Sequence, residues 1–111
     1  MGKFVYNGSI KVEFEDRLLA HLQVAIVNKL RRGESFQFTW REDSSVGGGR
    51  TSIWVNPQSS IVYKFYGSRP PALNPAWLEA LAFAANSPAG LYVLPEPEAE
   101  AEQPAVTDET A

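Results

Sequence analysis

The chain opens with period-two alternation. Residues 3–6 (KFVY) form a short apolar run closed by Asn7-Gly8, the strongest two-residue hairpin signal. Ile10, Val12 and Phe14 then alternate with Lys11, Glu13 and Glu15, the pattern of a half-buried strand. At Asp16 the period lengthens. Placed at 100° steps, Leu18, Leu19, Leu22, Ala25, Ile26 and Leu30 share one broad stripe, which predicts an amphipathic helix. Asp16 is the expected N-cap, and Gly33 the expected stop, after Lys29, Arg31 and Arg32 in the last turn, where the helix dipole favours cations. Lys29 falls inside the apolar stripe and is expected to snorkel from the helix end. Val24 and Val27 lie on the opposite face with Ala20, so the helix is expected to be covered on both sides, by its own chain or by a partner.

Residues 35–41 (SFQFTWR) alternate Phe36, Phe38 and Trp40 against Gln37 and Thr39, a strand with one aromatic face. A loop over 42–49 ends in three glycines. Residues 51–56 follow as a strand with Ile53 and Val55 on one face and Ser52 and Trp54 on the other. Residues 61–66 (IVYKFY) are apolar on both faces except for Lys64, which predicts a central strand, and the short connections predict an antiparallel meander. Asn74 caps a second helix with Pro75 at its first position, burying Trp77, Leu78, Leu81, Ala84 and Ala85. A last short strand covers 91–94. The expected fold is α+β, an antiparallel sheet of about five or six strands with two packed helices in the order ββαβββαβ. Residues 1–95 form one domain, and 96–111 are expected to be a disordered acidic tail.

Composition sharpens this picture in two ways. With 44% hydrophobic residues and thirteen aromatics, 111 residues can bury a core without staples. There is no cysteine, so disulfides and thiolate metal sites are excluded. No apolar run approaches the roughly 20 residues needed to span a bilayer, and the N-terminal residues lack a secretory pattern. A cytoplasmic protein without membrane contact is the expectation. The net charge of −3 hides an asymmetry. Residues 1–95 carry ten bases against seven acids, whereas 96–111 carry six acids and no base. A mildly basic domain therefore bears an acidic tail.

Candidate chemistry is sparse. His21 is the single histidine, lying off the main stripe beside Arg17, so a tetrahedral zinc site lacks its usual ligands and a Ser-His-Asp triad would have to use a mid-helix His21 without identifiable partners. Glu42 and Asp43 lack calcium-loop spacing. Gly47-Gly48-Gly49 before Arg50 leads into a strand rather than a helix, so neither phosphate-binding fingerprint fits. No catalytic residue, metal or cofactor is expected. Cations and aromatics form the richer set. Arg31, Arg32, Arg41, Arg50, Lys64 and Arg69 interleave with Trp40, Trp54, Tyr63 and Tyr66, the residue types that hold single-stranded nucleic acid by phosphate contact and stacking.

The strings DRLLAHLQVAIVNKLRRGESFQFTW, GGGRTSIWVNP and FYGSRPPALNPAWLEALAFAANSPAGL resemble a small uncharacterised family of single-domain actinobacterial and phage proteins, over nearly all of residues 1–95. Members of that family often carry the automatic label of ATP-dependent DNA ligase. The resemblance therefore hints at a DNA-related setting. Ligases of that class adenylate a Lys-x-Asp-Gly lysine within a much larger chain. The nearest string here, Lys64-Phe65-Tyr66-Gly67, has tyrosine for aspartate, and ligase activity is rejected for this chain.

The expectation is a small non-catalytic binding domain that contacts nucleic acid through Arg31, Arg32, Arg41, Arg50 and Arg69 with Trp40 and Trp54. The alternative is a protein-interaction or homodimerisation module using Val24 and Val27.

Overall fold

A computed structural model describes residues 1–43 and 47–98. Its elements follow the expected order: β1 (Gly2–Tyr6), β2 (Ile10–Phe14), α1 (Asp16–Arg31), β3 (Phe36–Arg41), β4 (Arg50–Val55), β5 (Ile61–Lys64), α2 (Pro75–Ala85) and β6 (Leu91–Tyr92). The six strands divide into two three-stranded sheets, ordered β2-β1-β5 and β4-β3-β6. This corrects the single meander. β5 leaves β4 and pairs antiparallel with β1 as an edge strand, not a central one, and β6 runs parallel to β3.

Asn7 explains part of that choice. Asn7 and Gly8 both take positive φ (50° and 75°) in the opening hairpin turn. The backbone N–H of Asn7 donates to the Ser60 carbonyl at 2.7 Å, and its side-chain oxygen accepts from the Ser60 N–H at 2.8 Å. The start of β5 is thereby fastened to the end of β1.

One aromatic layer joins the sheets. Phe4 and Phe14 of the first sheet meet Phe38 and Trp40 of the second edge-on or tilted, with centroids 5.5–6.4 Å apart. Tyr63 packs on Phe4 from β5, and burial pushes its phenol pKa up. The Tyr6 hydroxyl donates to the Trp54 carbonyl, tying β1 to β4. Leu19, Leu22, Ala25 and Ile26 of α1 and Trp77, Leu81 and Ala85 of α2 complete the same core.

Asp16 is the first residue of α1, not its cap: Glu15 holds that position without a side-chain bond. The Asp16 carboxylate instead accepts from the Gly67 N–H at 2.7 Å, fixing the segment that leaves β5. Asn74 does cap α2, accepting from the Ala76 N–H at 3.0 Å. Lys29 is buried along its stem as expected of a snorkelling lysine, yet its head is held: Nζ lies 2.8 Å from Asn86 Oδ1 and 3.0 Å from Glu34 Oε1. No helix among the described residues is long and apolar enough to cross a membrane.

Candidate functional site

In β3 the alternation turns Phe36, Phe38 and Trp40 into the core and leaves Gln37, Thr39 and Arg41 outside. β4 and β6 continue that outer face by register: Trp54 stands opposite Gln37, Ser52 and Tyr92 flank Thr39, and Arg50 stands opposite Arg41. The face is thus a grid with Trp54 at one end, a polar middle row with Tyr92, and two arginines at the other end. Thr39 Oγ1 and Ser52 Oγ are 2.7 Å apart across the middle row. Trp54 and Tyr92 are 58% and 44% exposed, large values for aromatic residues on a sheet.

Arg41 and Arg50 are both exposed and directly opposed. Like charges at opposed positions destabilise a strand pair. Neither forms an ion pair with a carboxylate among the described residues, whose three pairs are Arg17–Glu96, Lys29–Glu34 and Arg32–Glu34. Nearby Glu42 accepts from the Thr51 hydroxyl. A cleft of about 830 Å³ runs from this end of the face toward the edge strand β2, with Lys11, Glu13, Glu42, Asp43 and Tyr92 on its walls.

The other expected site residues are placed elsewhere. Trp40 is 3% exposed and belongs to the core, because it occupies an inward position of β3; as a nucleic-acid contact it is corrected. Its Nε1 is buried without a hydrogen-bond partner. Arg31 and Arg32 are exposed at the end of α1, and Arg32 pairs with Glu34 at 3.2 Å. Together with Lys29, that arginine holds the Glu34 carboxyl below its usual range. Arg69 lies in the segment that straps across α1, where it lines a groove of about 450 Å³ with Ala20, Val24 and Leu73. Val24 and Val27 are half-buried, and the strap covers Val24 from the chain's own side. Lys64 is exposed at the end of β5 with Nζ 5.8 Å from the Tyr66 ring centroid.

His21 is fully buried rather than turned away from the core. Its Nε2 accepts from the Asn74 N–H at 2.8 Å and its Nδ1 donates to the Arg17 carbonyl at 2.7 Å, which fixes the neutral Nδ1–H tautomer. Trp77 stacks on it at 4.4 Å. Around this pair, Arg17 forms a two-pronged ion pair with Glu96 (2.8 and 2.6 Å) and reaches the Ala72 carbonyl, while the Asn74 amide donates to Glu96 at 2.9 Å. Every one of these groups is engaged with protein, so the cluster fastens α1, α2 and the segment after β6 together. Among the described residues no group of three or more His, Asp or Glu side chains is placed to hold a metal.

Tyr92 was not among the residues the sequence singles out. Its place on the face depends on the parallel pairing of a two-residue strand, which no periodicity over 91–94 reports.

These features define a small two-sheet α+β domain whose distinguishing surface is an open face carrying two exposed rings and two arginines that form no ion pair among the described residues. The chain belongs to DUF7882, a family defined by a domain of unknown function, which matches residues 1–96. No curated protein and no solved structure matches the chain.

Proposed function

We propose that this domain is non-catalytic and holds nucleic acid on the outer face of its second sheet, Arg41 and Arg50 taking phosphate and Trp54 and Tyr92 lying against the nucleotides. The observation that carries this reading is the opposed Arg41–Arg50 pair. Two arginines on directly opposed positions, neither in an ion pair with a carboxylate among the described residues, repel each other until an anion lies between them, and guanidinium geometry suits phosphate. Exposed aromatic rings on the same face supply the second element that such sites use. The DNA-related labels attached to the resembling family agree with this direction but carry no weight for ligation. Arg31 and Arg32 at the end of α1 and Arg69 in the strap lie off this face, so an elongated ligand is needed for any of them to contribute.

The test is titration of labelled oligonucleotides at two salt concentrations. Binding at low salt that weakens as salt rises supports the reading, and Arg41→Gln/Arg50→Gln should lower the dependence of log K on log salt by roughly 1.5, about 0.7–0.9 per phosphate contact. An absence of binding at low salt refutes it.

A second reading, self-association, is favoured by a different residue from those expected. Phe83 on α2 is 80% exposed, among Ala82 and Glu79. Sedimentation of wild type against Phe83→Glu tests it, since Val24 and Val27 are half-covered already. A monomer in both excludes association through α2.

A further inference from the structure

We infer that the face selects single-stranded over double-stranded nucleic acid, with unpaired bases stacked on Trp54 and Tyr92; this rests on the reading above. A duplex major groove is about 12 Å wide and admits a helix or a two-stranded ribbon. This face has three strands, so its outer backbones already stand about 10 Å apart at the usual spacing of ~4.8 Å, before side chains are added. It cannot turn edge-on into a groove either, because its inner side is packed by Phe4, Phe14 and both helices. A duplex could therefore touch only the arginines, by its phosphates. Its stacked base pairs would never reach the rings.

A single strand meets the whole grid. Trp54 lies on β4 and Tyr92 on β6, with β3 between them. Between the rings lie Gln37, Thr39 and Ser52, and the Thr39–Ser52 hydroxyl pair is satisfied internally, so the ground between is low and polar. Trp54 stands two rows from the arginine pair, about 13 Å along the strand, and Tyr92 stands one row from it on the opposite edge. Bases have π-faces whatever their sequence, so two separated rings hold a strand without reading it. The cleft beside Arg41, Arg50 and Tyr92 gives the base next to the bound phosphate room to lie below the plane of the face. The bond from Tyr6 to β4 uses the Trp54 carbonyl and does not involve the indole.

The experiment compares affinities of the full chain for one labelled sequence as single-stranded DNA, single-stranded RNA and duplex DNA, at one salt concentration. At least one single strand should bind ten-fold or more tighter than the duplex. Trp54→Ala and Tyr92→Ala should each weaken that single strand by about 5- to 150-fold, the range spanned by one lost stacking contact, and leave the duplex unchanged. Trp54→Phe, which keeps a ring, should retain most of the affinity, and thermal melts of all variants control for folding. Duplex binding equal to or tighter than both single strands overturns the inference, as does single-strand affinity unmoved by either alanine variant. In both cases the phosphate-binding reading survives on Arg41→Gln/Arg50→Gln. Failure of all three probes to bind overturns that reading itself.

Discussion

Lys29 and Asn86 join the C-terminal ends of α1 and α2 through one hydrogen bond of 2.8 Å. The lysine stem is buried, and its ammonium lies 5.9 Å from the Phe36 ring centroid and 3.0 Å from Glu34. Stem and charge therefore have separable roles. Lys29→Met keeps the packed stem and frees an exposed Asn86 to bond water, so it should cost less than about 1 kcal/mol. Lys29→Ala removes the stem as well and should cost about 2–3 kcal/mol, as buried truncations do. Equilibrium urea unfolding of both variants measures the difference. Equal losses would show that the charge, not the stem, matters.

Acid should release the segment after β6 before it unfolds the domain. Hydrogen bonds and charge from Arg17, with a further bond from Asn74, hold the Glu96 carboxyl down at about 2. A carboxylate with a depressed folded-state pKa contributes stability that is fully present above its unfolded value, about 4.3, and is lost as pH falls through the folded value. The loss therefore falls between pH about 4.3 and about 2. Because the pair is partly solvent-exposed, the effect should be local. Nuclear magnetic resonance of the Asn74 side-chain amide should show a transition in that window that is missing in Glu96→Gln. An Asn74 amide indifferent to pH down to 2 in the wild type would contradict the pinning.

Much of this architecture is legible in period alone. The switch from two to 3.6 at Asp16 marks the hairpin–helix boundary, and the Phe36-Phe38-Trp40 alternation marks an inner face. Period does not say which strands become neighbours. Val62 and Lys64 look like strand positions wherever β5 goes, and the backbone and side chain of Asn7, fifty-three residues from Ser60, help send it to β1. The same limit applies to the site. Alternation sets Trp40 inward with Phe36 and Phe38 and Trp54 outward from Ile53 and Val55, but only the register puts Trp54 across from Gln37 on the shared outer face. Arg41 and Arg50 could be chosen from the sequence as cations interleaved with aromatic residues. Their direct opposition could not, since a one-residue slip would have put them on different faces. Glu96 reads as the start of a tail because its partner Arg17 lies seventy-nine residues away. Residues 99–111 of that tail lie outside the described residues.

Two glycines separate backbone strain from collision. Gly8 and Gly90 both have positive φ, 75° and 86°. An added Cβ at Gly8 meets nothing within 4 Å, so Gly8→Ala should carry only the left-handed backbone penalty of about 1–2 kcal/mol. At Gly90 the same atom would sit 2.5 Å from the Gln37 carbonyl oxygen, where β6 approaches β3. Gly90→Ala should therefore exceed Gly8→Ala by about 1 kcal/mol or more, and should displace Tyr92 from the outer face. Thermal unfolding of the two variants checks the order. Equal shifts would mean that β6 yields without cost.

The tryptophans offer a final comparison, since two are buried and differ in one bond. The Trp77 indole N–H donates to the Leu94 carbonyl at 2.9 Å, whereas the Trp40 N–H has no partner. Replacement by phenylalanine removes similar bulk at both positions, 3% and 5% exposed, so the cavity contribution is shared. What remains is the hydrogen bond. Trp77→Phe strands a carbonyl and should cost about 1 kcal/mol more than Trp40→Phe, where the change relieves a buried unpaired donor. Denaturant midpoints with unchanged slopes would measure this. Trp40→Phe should also leave oligonucleotide affinity unaltered, because its ring faces Phe4, Phe14 and Phe38 and not the outer face. If that variant loses binding while keeping wild-type stability, ligand reaches the core side of β3 through the cleft, and the outer grid alone does not account for the site.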